Sequence, residues 1–452
     1  MPAGGTWKAQ NKVRPGAYIN FKAVQKPNIA VGTRGIVACA LPMTWGPSGE
    51  VITLYSTELM SDKALAKIGC NVNNIDESLP YRLLLSDCYK ALLFNLNTGG
   101  AKATATLQTD LTVSAKYAGS TGNKVSVAVI VETSAKYLHV FFDGILKEIF
   151  TVSTFGDCLN IDSQWIDCTC DSSKETTALT ANAGTTLAGG TNGSISTDNV
   201  TTFLDKIRNK EWNCCVVQST DTSVPTTLTN SIKDLRENVG KKVQAVVYNT
   251  NAANYEGIIA TKGQGYKTES ETITPELFQL WVANITAGAA VNESNTARQI
   301  IDAIEITNPV SDSDIEDALK NGYFIITSLF DGTVVVEQDI NTLRTYNDDK
   351  SYVFSKNRVI RCLDEIANTA LLVFNKQYCG AVSNTFDQRT SFKSQLISYI
   401  DTLQNMEAIQ NFDASTDISV EQGDTIESVV VDVALQPVDS MEKLYMTVYV
   451  NA

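Results

Sequence analysis

The spacing of apolar residues divides the chain into helix-like and strand-like stretches. Val200, Phe203, Leu204 and Ile207 recur at i, i+3, i+4 and i+7 behind a Thr/Asp cap, which predicts an amphipathic helix. A second helix over "PTTLTNSIKDLRENVG" alternates with the apolar runs "CCVVQ" and "VQAVVY". Helices that alternate with short buried strands predict an α/β layer with parallel strands.

Residues 101–190 have a different pattern, rich in Thr, Ser, Ala and Val, and apolar and polar positions alternate in "AKATATLQT", "NKVSVAVIVE" and "KYLHVFFDGILKEIF". Asp143-Gly144 lies between two apolar runs and predicts a hairpin, because a type I′ turn needs positive φ at both central residues. Asp331-Gly332 predicts a second hairpin farther along. We interpret residues 101–190 as an inserted β-domain.

Both chain ends alternate like strands. In "EKLYMTVYVNA", Leu444, Met446, Val448 and Val450 fall on one side, and Tyr445 and Tyr449 lie on the other with Thr447. The N-terminal run "RPGAYINFKAV" alternates in the same way. Two long helical patterns, over "SKNRVIRCLDEIANTALLVFNKQYCG" and "DQRTSFKSQLISYIDTLQNMEAIQNF", precede the C-terminal strands. Exposed strand edges are normally blunted in soluble proteins, so these ends raise the question of what they pair with.

The predicted fold is a multidomain α+β/α/β fold: an α/β core with two long C-terminal helices and terminal β-arms, plus an inserted all-β domain. The predicted domains are an N-terminal arm (1–26), a first part of the α/β core (27–98), the inserted β-domain (99–192), an α/β domain (193–347), a C-terminal helical part (348–425), and a hairpin with a donated strand (426–452).

The composition bears on the partners, the cellular location and the state of the cysteines. With 36 Lys and Arg against 50 Asp and Glu, the formal net charge is −14 and the pI about 4.7, so we expect neither nucleic acid nor membrane as a partner. The start of the chain lacks the apolar core of a signal peptide, which predicts a protein that is cytoplasmic when it is made. The ten cysteines are scattered and are interpreted as reduced thiols.

A search for catalytic residues finds none. The single histidine, His139, lies within an alternating strand, where a packed or surface side chain is the usual role. The segment Gly184–Thr191, "GTTLAGGT", has the glycine spacing of a phosphate loop but a glycine in place of the essential lysine, and we interpret it as a flexible linker. We therefore expect no enzyme activity, no metal site and no cofactor.

Several stretches resemble one known family. The C-terminal "VVVDVALQPVDSMEKLYMTVYV" resembles the end of contractile tail-sheath proteins of phages, defective prophages and R-type bacteriocins. "GGTWKAQNKVRPGAYINF", "YAGSTGNKVSVAVI" and "RVIRCLDEIANTAL" are similar to other parts of that family, as is "WVANITAGAAVNESNT", although Asn284 stands where a glycine is expected. The resemblance covers nearly the whole chain and is greatest to sheaths of Gram-positive, particularly clostridial, type.

The resemblance implies a subunit that stacks in six-fold rings around an inner tail-tube protein and works with baseplate and tail-terminator or collar proteins. It also implies contraction from a metastable extended state, and terminal arms that join a neighbour's sheet. It places the subunit in the bacterial host cytoplasm during assembly and then in a phage tail or bacteriocin particle.

From alternation and this resemblance together, we expect an exchange of strands between subunits. The predicted arm residues are Tyr18, Ile19, Phe21, Leu444, Tyr445, Met446, Val448 and Val450. The predicted acceptor hairpin includes Val429, Val431 and Val433. Arg389 and Lys393 either contact the tube or belong to a solvated helix start.

Two other classes stay open from the residues alone. One is a cytosolic α/β enzyme with a nucleotide-type site, which the missing motifs disfavour. The other is a surface-layer or adhesion protein, which shares Thr-rich β-domains but needs an export signal. The sequence does not distinguish a phage from a bacteriocin.

Overall fold

The computed structural model describes residues 3–5, 16–18, 34–132 and 135–450. The chain forms two compact units. The larger covers Thr33–Asn368 and Pro437–Ala452, and the smaller covers Met1–Gly32 and Thr369–Gln436. The mixed content of strands and helices is that of a multidomain α/β protein, in agreement with the predicted class.

The larger unit contains a seven-stranded sheet. Across the sheet, its strands are Tyr323–Phe324, Ile258–Thr261, Gln244–Tyr248, Cys214–Val217, Ile36–Leu41, Lys90–Asn95 and Val51–Tyr55. All neighbouring pairs are parallel except the last, in which Val51–Tyr55 runs antiparallel to Lys90–Asn95. The prediction of a parallel α/β layer is confirmed.

Both faces of this sheet are buried. Odd-numbered residues of the strand Ile36–Leu41 belong to one apolar core and even-numbered residues to another. The first core is completed by the helices Ser56–Leu59, Asp62–Ile68, Ile75–Leu84 and Pro275–Gly288. The second is completed by Asp198–Ile207 and Val224–Asp234, and the first of these two helices buries the four apolar residues that its spacing predicts.

The rest of the α/β region consists of short elements. Gly265–Lys267 pairs with Thr272–Ile273 and with Glu305–Thr307, and a helix spans Asp312–Lys320. Ile326–Ser328 and Val334–Val336 form an antiparallel hairpin around Asp331-Gly332, as predicted. The helix Asn357–Val373 follows and leads into the smaller unit.

Residues 102–186 form two antiparallel sheets with a shared apolar core. One sheet has the order Ile145–Thr151, Ala135–Phe142, Val125–Glu132 and Asn182–Thr186, and the other has the order Ile166–Cys170, Leu111–Ala118 and Lys102–Gln108. A short helix, Phe155–Leu159, lies beside Ile166–Cys170. Asn97–Thr98 and Ser194–Ile195 pair where the chain enters and leaves. Asp143 and Gly144 have φ of 51° and 75°, which confirms the predicted turn.

The prediction of a flexible linker over Gly184–Thr191 is wrong. Its first residues belong to the strand Asn182–Thr186, and Thr191 bridges to Ala101. Gly190 exchanges two hydrogen bonds with the side chain of Asn123, at 2.8 and 3.0 Å. The glycines allow the close approach, because a Cβ at Gly190 would lie 2.5 Å from the Gly119 carbonyl oxygen. The segment is part of the β-domain.

The smaller unit is built on a helix and a strand hairpin. The helix Phe386–Asn405 buries Phe392, Leu396, Tyr399, Ile400 and Leu403. The strand Ile418–Gln422 lies against this helix and pairs antiparallel with Val429–Val433. A π-helical turn spans Phe374–Tyr378, and the remaining short strands of the smaller unit and its boundary are Ala3–Gly5, Gly16–Tyr18, Ile409–Gln410 and Gln436–Pro437.

We predict that Asn123→Ala lowers the stability of the β-domain by about 2 kcal/mol, since it removes two hydrogen bonds worth about 1 kcal/mol each. The measurement is the midpoint of thermal unfolding followed by near-UV circular dichroism. Gln164→Ala is the matched control, because Gln164 is an exposed amide residue of the same domain. Equal midpoints for the two variants would contradict the role given to Asn123.

Candidate functional site

The C-terminal arm, defined here as residues 443–450, pairs with no strand among the described residues. Residues 438–450 form no helix or strand, so the predicted strand is absent from the isolated chain. Seven large apolar side chains of this end are at least 68% exposed: Met441, Leu444, Tyr445, Met446, Val448, Tyr449 and Val450. A strand needs the backbone groups of a second strand, and none of the described residues of the same chain supplies them to this segment.

Glu442 differs from its neighbours because its side chain is 11% exposed. Its carboxylate accepts hydrogen bonds from Thr296 Oγ1 at 2.8 Å and from Gln338 Nε2 at 2.7 Å, and it pairs with the Lys356 ammonium. Burial by itself would raise the pKa of Glu442, but the hydrogen bonds from Lys356, Gln338 and Thr296 outweigh it and hold this pKa below its ordinary value. Glu442 is therefore a carboxylate that the fold keeps ionised.

A second carboxylate lies directly behind these donors. Asp339 accepts from the Asn295 backbone N–H at 2.9 Å, from Asn357 Nδ2 at 2.8 Å and from Arg361 Nη2 at 2.6 Å. Thr296 Oγ1 links the Glu442 carboxylate to the backbone of Asp339, because it accepts from the Asp339 N–H while it donates to Glu442. We call the eight residues of this network the root cluster: Asn295, Thr296, Gln338, Asp339, Lys356, Asn357, Arg361 and Glu442.

The root cluster is assembled from four separate segments of the larger unit. Asn295 and Thr296 lie in the loop after the helix Pro275–Gly288, and Asp339 follows the hairpin strand Val334–Val336. Lys356 immediately precedes the helix Asn357–Val373, whose first turns carry Arg361 inward. Arg361 is completely buried. Hydrophobic spacing does not reveal such a network, and the only cue in the sequence is a charged residue among the apolar residues of "RVIRCL".

The predicted acceptor residues lie in the smaller unit on the strand Val429–Val433. Val429, Val431 and Val433 are half-buried and pair with Gln422, Val420 and Ile418. Among the described residues, the hairpin is a two-stranded sheet, so each strand keeps one edge without a partner strand. Asn384 Nδ2 donates to the carbonyl oxygens of Ile426 and Ser428, at 2.9 and 2.8 Å, and holds the hairpin turn against the start of the helix Phe386–Asn405.

The remaining predicted site residues lie on the helix Phe386–Asn405 and near the start of the sequence. Arg389 Nη1 donates to the side-chain and backbone oxygens of Asn384, at 2.8 and 3.1 Å, and Lys393 lies one turn farther along the same helix. The backbone of Tyr18 pairs with Gly5 in a parallel two-stranded ladder. Ile19 and Phe21 lie outside the described residues.

His139 and the side chains that could bind a metal were the candidates for enzymatic chemistry. His139 lies on the strand Ala135–Phe142, with its ring 6.5 Å from Tyr137 and 6.1 Å from Phe141. Among the residues that the structure describes, no group of three or more His, Cys, Asp or Glu side chains is placed to hold a metal ion. Within the same residues, no helix is long and apolar enough to cross a membrane.

Comparisons with known proteins identify the family. The family models described as phage tail sheath protein beta-sandwich domain, central domain and C-terminal domain match residues 98–192, 193–342 and 349–451. The structure of a sheath tail protein from Desulfitobacterium hafniense is 34% identical, with a TM-score of 0.80 over 95% of this chain and 99% of that one. The chain belongs to the phage tail-sheath protein family.

Further relatives agree. A sheath tail protein from Listeria innocua is 30% identical, with a TM-score of 0.80 over 93% of this chain and 98% of that one. The phage-like element PBSX protein XkdK of Bacillus subtilis strain 168 is 27% identical over 99% of this chain and 100% of its own. The contracted helical sheath protein of the anti-feeding prophage, 10% identical with a TM-score of 0.56 over 97% and 99%, shares the fold.

We predict that Asp339→Ala destabilises the larger unit by about 3–5 kcal/mol, because it leaves the buried Arg361 guanidinium without its carboxylate. The measurement is the thermal unfolding midpoint at pH 7. Glu316→Ala is the control, since its pair with Lys320 is 81% and 69% exposed and such pairs contribute less than about 1 kcal/mol. An Asp339→Ala midpoint equal to that of the control would contradict the structural role of the root cluster.

Proposed function

We propose that this chain is the structural, non-enzymatic subunit of a contractile tail sheath. It polymerises as stacked six-fold rings around an inner tube and contracts from a metastable extended state, driving the tube through a target envelope. Terminal arms link the subunits by strand exchange. One observation carries the proposal: the same chain presents an exposed apolar strand-like arm and a hairpin with unpaired edges.

The exposed arm favours a permanent partner over a free end. Burying one Val, Leu or Met side chain contributes about 1.5–3 kcal/mol, so leaving several in water forgoes a large stabilisation. Contiguous exposed apolar surface on a folded protein marks an interaction site. Because this surface alternates with a period of two, its natural partner is the edge of a sheet.

The hairpin has the matching geometry. Val429, Val431 and Val433 place half-buried side chains at alternate positions, and an added strand would cover them while it satisfies the open edge. Each backbone hydrogen bond of such a link adds about 0.5–1.5 kcal/mol, and apolar burial adds about 25 cal/mol per Å². A link of this kind keeps neighbours joined while their rigid bodies rotate. The N-terminal arm, with Tyr18, Ile19 and Phe21, would occupy the remaining place in the sheet.

The partners follow from this assembly. Copies of the same chain form the sheath, an inner tail-tube protein lies inside it, and baseplate and tail-terminator or collar proteins close its ends. Arg389 and Lys393 are proposed tube contacts. Asn384 already holds Arg389 in place, so its charge would be presented without further ordering. Assembly takes place in the host cytoplasm, and the finished sheath belongs to a phage tail or bacteriocin particle.

We predict that a chain truncated after Lys443 folds but does not form tubes. It loses residues 444–450 of the arm and keeps Glu442, so its thermal midpoint should match that of the full chain. Negative-stain microscopy and sedimentation, under conditions in which the full chain forms tubes, provide the measurement. A chain truncated after Val450 is the control and should form tubes. Normal tubes from the Lys443 truncation would refute strand donation by this arm.

A further inference from the structure

Glu442, the residue immediately before the C-terminal arm, is held in the larger unit by an ion pair with Lys356. Met441 and Lys443 are exposed, whereas Glu442 between them is almost buried and accepts hydrogen bonds from four side chains, those of Thr296, Gln338, Lys356 and Ser440. Lys356, its ionic partner, is 10% exposed and has a second carboxylate, Asp439, at 4.0 Å. A lone ion pair on a surface contributes little, but one that is desolvated and joined by neutral hydrogen bonds is held in one geometry.

Arg34 and the root cluster both contact the C-terminal end of the helix Pro275–Gly288. Arg34 Nε and Nη2 donate to the carbonyl oxygens of Ala289 and Thr286, at 2.9 and 3.2 Å, and so cap the end of the helix Pro275–Gly288. Asn295 of the root cluster donates to Ile285 of that helix end at 3.4 Å. The pKa of Arg34 is lowered to about 10 by burial and, to a smaller extent, by the positive charge of Arg361.

We infer that Glu442 is a positioning residue, which fixes the origin and direction of the C-terminal arm so that a neighbouring copy of this chain can capture it. The inference rests on the proposed function. Glu442 does not enter the shared sheet itself. It acts by reducing the conformational freedom of the chain immediately before the arm, and preorganisation of this kind strengthens binding without adding a contact. Beyond Glu442, the arm has no described contact that orders it, so residues 443–450 can follow the partner.

The experiment separates arm positioning from folding. Glu442→Gln keeps the size of the side chain and removes its charge, and Lys443→Gln removes the exposed charge next to it as a matched control. We expect Glu442→Gln to raise the critical concentration for tube formation by about tenfold, the effect of losing one charge-assisted hydrogen bond. Lys443→Gln should leave the critical concentration within about twofold of the unmodified chain. In monomers below that concentration, the backbone amides of residues 438–443 should have lower NMR order parameters in Glu442→Gln only, because the chain there is no longer held.

A charge exchange provides the rescue. Glu442→Lys should abolish tubes, and adding Lys356→Glu should restore part of the assembly, because the ion pair re-forms with reversed polarity. The positioning role would be overturned if Glu442→Gln formed tubes at the same critical concentration as the unmodified chain, or if the order parameters of residues 438–443 were unchanged in this variant.

The proposed function has a separate point of failure. Tubes from the chain truncated after Lys443 would refute strand donation itself. An inactive truncation together with a fully active Glu442→Gln would refute only the inference about Glu442.

Discussion

A carboxylate inside a protein must be matched by donors and positive charge, because an uncompensated buried charge costs several kcal/mol. Asp339 meets this requirement with donors from two stretches of chain: the Asn295 N–H from one, and the Asn357 amide and the Arg361 guanidinium from the other. One buried ion thereby fixes a loop, a strand end and a helix start relative to each other. Thr296 and Lys356, which bind Glu442, are adjacent in sequence to Asn295 and Asn357, which bind Asp339. The position of Glu442 therefore depends on the contacts of Asp339.

Hydrophobic spacing predicts the parts of the fold that burial determines. The parallel sheet has strands such as Cys214–Val217 with both faces covered, and these read as unbroken apolar runs. The helix Asp198–Ile207 has one buried stripe, and its spacing shows that stripe directly. The preference of a residue pair for a turn is equally local, so the two residues Asp143 and Gly144 are enough to predict the hairpin turn. The order of Gly184–Thr191 is not local, because Gly190 binds Asn123, 67 residues earlier, and Thr191 bridges to Ala101.

The candidate site is less readable for two physical reasons. The contacts of Glu442 join residues 86 to 146 positions apart, and no local pattern encodes them. The arm itself shows the reverse case. Its alternation is plain in the sequence, yet the isolated chain contains no strand there, because a strand is a property of a pair. Alternation predicts which side chains a sheet would bury, and it does not say whose sheet it is.

The anchored root turns the arm into a tether of definite length. Eight residues follow Glu442 up to Val450, and at about 3.3 Å per residue they reach about 26 Å when extended. Pairing along the five residues Val429–Val433 of a neighbour would use most of that length and leave about 10 Å of slack. Two linked bodies could then shift by about a nanometre before the backbone is taut. The distance by which two linked subunits could shift would be limited by the number of residues in the arm. Insertions and deletions in the arm would change that distance by about 3.3 Å per residue.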